Sequence, residues 1–198
     1  GGDAALREFS EKFDGYAAAS VRVDADEIEQ AESQISPELK KAIRSAASNI
    51  EKFHLAGLTS PVVTETAPGV RCWYRDTAIE RIGLYIPGGT APLFSTVLML
   101  GIPARLAGCR EIIMCTPPGS NGKINPLILW AAKLAGVNAI FRAGGAQAIA
   151  AMAYGTESIP AVNKIFGPGN RYVTRAKELV QLDGTAIDMP AGPSELMV

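Results

Sequence analysis

Four polar residues of this chain stand in or beside loops of small residues. Tyr85 lies beside Pro87-Gly88-Gly89, Gln147 follows Ala143-Gly144-Gly145, and Asn170 closes Gly167-Pro168-Gly169. Ser194 sits in Asp188-Met189-Pro190-Ala191-Gly192-Pro193-Ser194-Glu195. Each residue type suits a different contact. A tyrosine can stack on a flat ring or donate a hydrogen bond, though at this place it equally reads as a core aromatic. Asn170 is a good helix N-cap, and the free N–H groups behind it can face an anion. The same loop also reads as a tight strand–helix turn that needs small residues. Gln147 is a polar side chain at a helix start, and Ser194 suits a polar contact to a substrate. No histidine is close enough in sequence to make Ser194 a nucleophile.

Standard phosphate fingerprints are absent. Gly167 and Gly169 have the spacing of a G-x-G-x-x-G motif, but Tyr172 takes the third glycine's place. Gly119-Ser120-Asn121-Gly122-Lys123 is too short for a Walker loop, and Ile124 replaces its Ser/Thr. A conventional dinucleotide site and a P-loop are both disfavoured, so a nucleotide would be held in a variant way. The only histidine, His54, reads as an ordinary helix residue, since it has no nearby partners for a metal site. Arg171, Arg175, Lys177 and Glu178 read as a solvated helix face.

The elements that would position these residues alternate. Strand-like runs at 82–86, 111–115, 139–142, 162–166 and 185–188 are separated by helix-like runs at about 92–107, 124–135, 146–154 and 170–180. Such alternation predicts an α/β fold with a parallel sheet and right-handed crossovers. Ligands bind such sheets in the crevice beyond the carboxyl ends of the strands, where these Gly/Pro loops fall. Pro103 is expected to kink or split its helix.

The first 57 residues read as helices. Asp3 is expected to cap one that Gly15 ends, and Asp24 with Glu27 resembles a capping box. Ser36-Pro37 begins a third helix, which Gly57 stops. A β-hairpin is expected over 62–75 around Ala67-Pro68-Gly69. The predicted organisation is helices and hairpin over 1–80, a nucleotide-facing domain over 81–190, and a return toward the first part from 191.

Composition narrows the function classes. Apolar residues make up 47% and charged residues 20%, with a formal net charge of −1, so there is no footprint for nucleic acid or an acidic membrane. No apolar run approaches the ~18 residues that span a bilayer. Cys72, Cys109 and Cys115 do not read as a disulfide framework, and a reducing cytoplasm is expected. The final run from Ser194 to Val198 reads as an element cut midway.

Taken in order, the loops resemble the histidinol dehydrogenase family. The resemblance is carried by Gly83-Leu84-Tyr85-Ile86-Pro87-Gly88-Gly89, Ala91-Pro92-Leu93-Phe94-Ser95-Thr96-Val97-Leu98-Met99 and Gly144-Gly145-Ala146-Gln147-Ala148-Ile149-Ala150-Ala151. Lys164-Ile165-Phe166-Gly167-Pro168-Gly169-Asn170 and the loop from Asp188 to Glu195 complete it. The resemblance implies oxidation of L-histidinol to L-histidine, using two NAD⁺ in succession through an enzyme-bound aldehyde. It implies a zinc ion that orients the substrate, a homodimer, and an aldehyde-dehydrogenase-like, incomplete Rossmann fold. Tyr85, Gln147 and Asn170 match the family's NAD-contacting positions, and Ser194 a substrate-contacting one.

The family's zinc ligands and its Glu-His acid–base pair follow the Pro-Ser-Glu motif and have no counterparts in this chain. The expectation is an N-terminal part of roughly half the enzyme, lacking also a short stretch before Gly1 and inactive alone. It should leave apolar surface exposed on the N-terminal helices and the hairpin. The 118–126 loop looks long for the family. Two other readings stay open: a related zinc dehydrogenase of another small alcohol or diol, and a non-catalytic α/β binding module.

Overall fold

The computed structural model describes residues 1–16, 20–58, 62–89 and 91–189. Ser194 therefore lies outside the described residues. Five parallel strands form the central sheet: β3 (Arg81–Tyr85), β4 (Glu111–Thr116), β5 (Ala139–Arg142), β6 (Lys164–Phe166) and β7 (Ala186–Ile187). Their spatial order is β5-β4-β3-β6-β7. The chain builds outward from β3 to β5, then crosses back to lay β6 on the other side of β3. The order reverses between β3 and β6, and that is where a parallel sheet opens a crevice for a ligand.

Helices cover both faces. On one lie α2 (Ala25–Ala31), α3 (Pro37–Ala56), α4 (Phe94–Leu106) and α5 (Pro126–Ala135). On the other lie α1 (Gly2–Asp14), α6 (Gly145–Tyr154) and α7 (Arg171–Leu182). The two-residue period of a strand distributes the core between these faces. Ile82, Leu84, Ile112, Met114 and Ile140 pack toward α4 and α5. Tyr85, Ile113, Cys115, Phe141, Ile165 and Ile187 pack toward α6 and α7. The alternation therefore aims Tyr85 at the start of α6.

The hairpin is present as β1 (Val63–Ala67) and β2 (Val70–Trp73), paired antiparallel. Its residues are exposed throughout. Phe13 of α1, Phe53 of α3 and Tyr74 are exposed as well, Tyr74 to 88%. Exposed apolar side chains thus fall on the N-terminal helices and around the hairpin, as expected. No helix among the described residues is long and apolar enough to cross a membrane.

Gly15 ends α1 in the left-handed conformation, and the Ser36 side chain accepts a hydrogen bond from the Leu39 N–H at the start of α3. Four expectations are corrected. Asp3 does not cap α1, which begins at Gly2; its carboxylate accepts hydrogen bonds from Ser158 Oγ at 2.5 Å and Ser158 N at 3.3 Å. Asp24 precedes α2 without a side-chain cap, and Glu27 pairs with Arg142 of β5 instead of closing a capping box. In both cases a partner distant in sequence takes the acidic group. Pro103 does not split its helix, since it sits in the last turn of a continuous α4. Lys177 is not solvated but 6% exposed.

The segment between α1 and α2 is not wholly helical. Val23 N–H donates to Ile140 O at 2.9 Å, and Arg142 N–H donates to Val21 O at 2.7 Å. These bonds cover the free edge of β5, an edge that would otherwise invite pairing with another chain.

Candidate functional site

Tyr85 ends β3 at 3% exposure. Its hydroxyl accepts a hydrogen bond from the Gly145 N–H at 3.0 Å. Gly145 opens α6 at φ 59°, a conformation that glycine adopts readily. Burial pushes the Tyr85 hydroxyl above its ordinary pKa, and Asp14 and Cys115 push the same way, against the Gly145 N–H. The hydroxyl is therefore protonated at neutral pH. Its oxygen is engaged while its hydrogen can still be donated.

Gln147, in the first turn of α6, donates from Nε2 to the Asp14 carboxylate at 3.1 Å. Asp14 ends α1 and was not singled out from the sequence. Burial raises its pKa, and the Gln147 hydrogen bond opposes the rise. The end of α1 thus lies over the start of α6.

Asn170 caps α7, accepting from Tyr172 N at 3.0 Å and Val173 N at 3.1 Å through Oδ1. Its side-chain amide N–H groups are not used by this cap. The loop before it is held from below. Parallel pairing of Leu84 with Phe166 places Gly167 level with Tyr85. A Cβ on Gly167 would lie 2.0 Å from Tyr85 O, and its φ is 132°. Only a glycine fits. Asp188 accepts from Gly167 N–H at 2.8 Å, and Lys177 donates to Gly167 O at 2.9 Å.

The structure therefore gathers two of the three candidate nucleotide residues around Tyr85's end of β3. Tyr85 holds the start of α6, one turn from Gln147, while the Gly167 loop that leads to Asn170 presses on its carbonyl. Asn170 is reached through that loop rather than by direct contact. His54 lies apart, in the last turn of α3. Arg142, unremarked in the sequence, is 9% exposed and tied to Arg22 O at 2.9 Å and to Glu27.

Two hollows open at this end of the sheet. A groove of about 740 Å³ runs between 87–89 with 91–93, the 116–126 loop and α2. Its charged lining is Asp24, Asp26 and Glu27 against Lys123, which disfavours an anionic ligand. A smaller cavity of about 210 Å³ is walled by Gly167, Pro168, Gly169, Thr174, Lys177, Ile187, Asp188 and Met189. The β3–β6 reversal and the N-terminus of α7 favour the side of the smaller cavity for phosphate groups.

The glycine cradle and the helix N-termini fit a dinucleotide. They do not fit zinc: among the described residues no three His, Cys, Asp or Glu side chains converge on one point.

Comparison with known proteins decides the family. The family model described as histidinol dehydrogenase matches residues 1–198. The chain belongs to the histidinol dehydrogenase family. The chain is 61% identical over 198 residues to the histidinol dehydrogenase of Bacteroides fragilis, covering 100% of this chain and 46% of that protein. It is 56% identical over 199 residues to that of Xylella fastidiosa, with the same coverage. The crystal structure of histidinol dehydrogenase from Elizabethkingia anophelis superposes with a TM-score of 0.94 at 57% identity, over 97% of this chain and 44% of that one. The chain spans about half the length of the curated relatives it matches. The α/β fold with its parallel sheet is that of a histidinol dehydrogenase.

Proposed function

We propose that this chain is the nucleotide-facing part of an enzyme that oxidises L-histidinol to L-histidine with NAD⁺, in the cytoplasm and as a homodimer. The single observation that carries the reading is the family match over every residue of the chain. The site geometry supports it, since Tyr85 holds the start of α6 and the Gly167 loop that leads to Asn170 presses on the Tyr85 carbonyl. Residues 1–80 would belong to a part completed by the rest of the enzyme, and 81–190 to the nucleotide domain.

Tyr85, Gln147 and Asn170 would hold NAD⁺, which when bound would supply the acceptor for the hydride of the alcohol carbon. The residues of this chain bind and orient. Protonated Tyr85 offers a hydrogen-bond donor at the end of β3. Gln147 offers an amide whose Nε2 already leans on Asp14. Asn170 offers its side-chain N–H groups while Oδ1 holds the first turn of α7. The N-termini of α6 and α7 complement phosphate charge. Ser194 would contact the substrate. Zinc and the acid–base groups would belong, in this reading, to the remainder of the enzyme, where the family resemblance puts them.

The test is turnover by the full-length protein, zinc-loaded, with NAD⁺ and histidinol beside a sulfonated diol. NADH formation with histidinol alone is expected. Turnover of the diol alone would transfer the fold to another small alcohol, and binding of neither substrate nor NAD⁺ would leave only the binding-module reading.

A further inference from the structure

The charge most deeply withdrawn from water beside the crevice is Lys177. A buried ammonium is costly unless it is paired and hydrogen-bonded. Lys177 meets both conditions in one place. It forms an ion pair with Asp188 and donates to Gly167 O at 2.9 Å. Asp188 in turn accepts from the Gly167 N–H at 2.8 Å. The two partners come from α7 and from the residue after β7, so side chains from separate elements grip the donor and the acceptor of one residue.

The grip begins where the backbone ladder ends. Asp188 N–H donates to Ile165 O at 3.1 Å, the last backbone bond between these neighbours among the described residues. Beyond it β6 stops at Phe166, and Gly167 turns to φ 132° against Tyr85 O. Nothing in that conformation is self-sustaining, because glycine has the most backbone freedom of any residue. From Gly167 the chain needs only Pro168 and Gly169 to reach Asn170, and these residues wall the 210 Å³ cavity together with Lys177 and Asp188.

We propose that Lys177 is a positioning residue for the nucleotide loop, acting with Asp188 as a clamp on the two peptides that flank Gly167. The clamp fixes how Gly167-Pro168-Gly169 and the cap at Asn170 face the crevice. The inference rests on the nucleotide reading above. A purely structural ion pair would behave differently: removing one partner would lower stability by leaving the other unpaired, without singling out NAD⁺ affinity.

The experiment measures NAD⁺ affinity by titration calorimetry, KM for NAD⁺ and for histidinol, and thermal stability of the full-length enzyme. It compares the parent protein with Lys177→Met, Lys177→Arg and Asp188→Asn. Lys177→Met is expected to weaken NAD⁺ roughly tenfold or more, as the loss of a charged hydrogen bond to the loop implies. The KM for histidinol is expected to stay within about twofold. Lys177→Arg should recover part of the NAD⁺ affinity. Asp188→Asn keeps the shape and an acceptor for the Gly167 N–H, and should weaken NAD⁺ in the same direction even if Lys177→Met fails to fold. Parent-like NAD⁺ affinity in Lys177→Met or Asp188→Asn overturns the clamp alone. An equal rise in both KM values, alongside a lower melting temperature, also overturns it. No NAD⁺ binding by the parent protein overturns the nucleotide reading, and the clamp's role with it.

Discussion

The Tyr85 hydroxyl, at the end of β3, accepts a 3.0 Å hydrogen bond from the backbone nitrogen of Gly145, the first residue of α6. One side chain thereby ties the central strand to a helix that starts beyond β5, two strands away. Tyr85→Phe removes the acceptor and keeps the ring. About 1 kcal/mol of stability should be lost with the hydrogen bond, and NAD⁺ affinity of the full-length enzyme should fall by roughly tenfold. Chemical denaturation and calorimetric titration read the two effects separately.

Asn170 caps α7 and, in the proposed function, contacts NAD⁺; substitution can separate the two. Asn170→Ala removes the cap from α7 and should cost about 1 kcal/mol. Asn170→Asp keeps an oxygen for the Tyr172 and Val173 N–H groups but withdraws the amide donors and adds a negative charge. Its stability should stay near that of the parent, while NAD⁺ binding weakens more than in Asn170→Ala. Equal NAD⁺ affinity in the two variants would reduce Asn170 to a cap.

Gly167 has no room for a side chain. A Cβ would meet Tyr85 O at 2.0 Å, and φ is 132°. Gly167→Ala should cost roughly 3 kcal/mol or more, because backbone strain and a steric clash add. Denaturant midpoints measure this, and a loss below about 1 kcal/mol would mean that the loop relaxes away from β3.

Asp14 and Asp3 should respond to pH with opposite signs. Burial raises the Asp14 pKa in the folded chain from an unfolded value near 3.8. Its favourable contribution is thus present below that value and lost as pH rises through the folded pKa. Asp14→Asn should therefore raise the melting temperature at neutral pH, with the gain vanishing in acid below the ordinary aspartate range. For Asp3, burial acts upward, but hydrogen bonds from Ser158 and Thr156 prevail and hold the carboxyl below 3.8. Its contribution is present above 3.8 and lost as pH falls through the folded pKa. Asp3→Asn should consequently lose stability at neutral pH and match the parent only in strong acid. A melting series across pH on both variants checks the crossing.

Much of this arrangement is legible in the sequence because it is local. The alternation of apolar runs with Gly/Pro loops locates β3 to β7 and their helices within a few residues, and Ser36 and Gly15 mark helix ends as their chemistry predicts. What escapes is set by distant partners. Asp3 has the right spacing for a cap, yet Ser158 takes its carboxylate from across the fold. Glu27 is drawn to Arg142 in the same way. Lys177 shares a helix with exposed charges, and only the return of the chain through Asp188 shows why it points inward. Asp14 carries no local sign that its carboxylate will meet Gln147, 133 residues later. Of the residues proposed to contact the nucleotide, Tyr85 and Asn170 are placed by their loops, whereas their relation through Gly167 needs the register of β3 with β6.

In the proposed function a nucleotide lies over the loops after β3, β5 and β6. Hydrogen–deuterium exchange of the full-length enzyme, with and without NAD⁺, tests it most directly. Added protection is expected in the peptides covering 85–89, 143–147 and 167–173. Protection confined to 24–34 and 117–126, which line the larger groove beside α2, would contradict it.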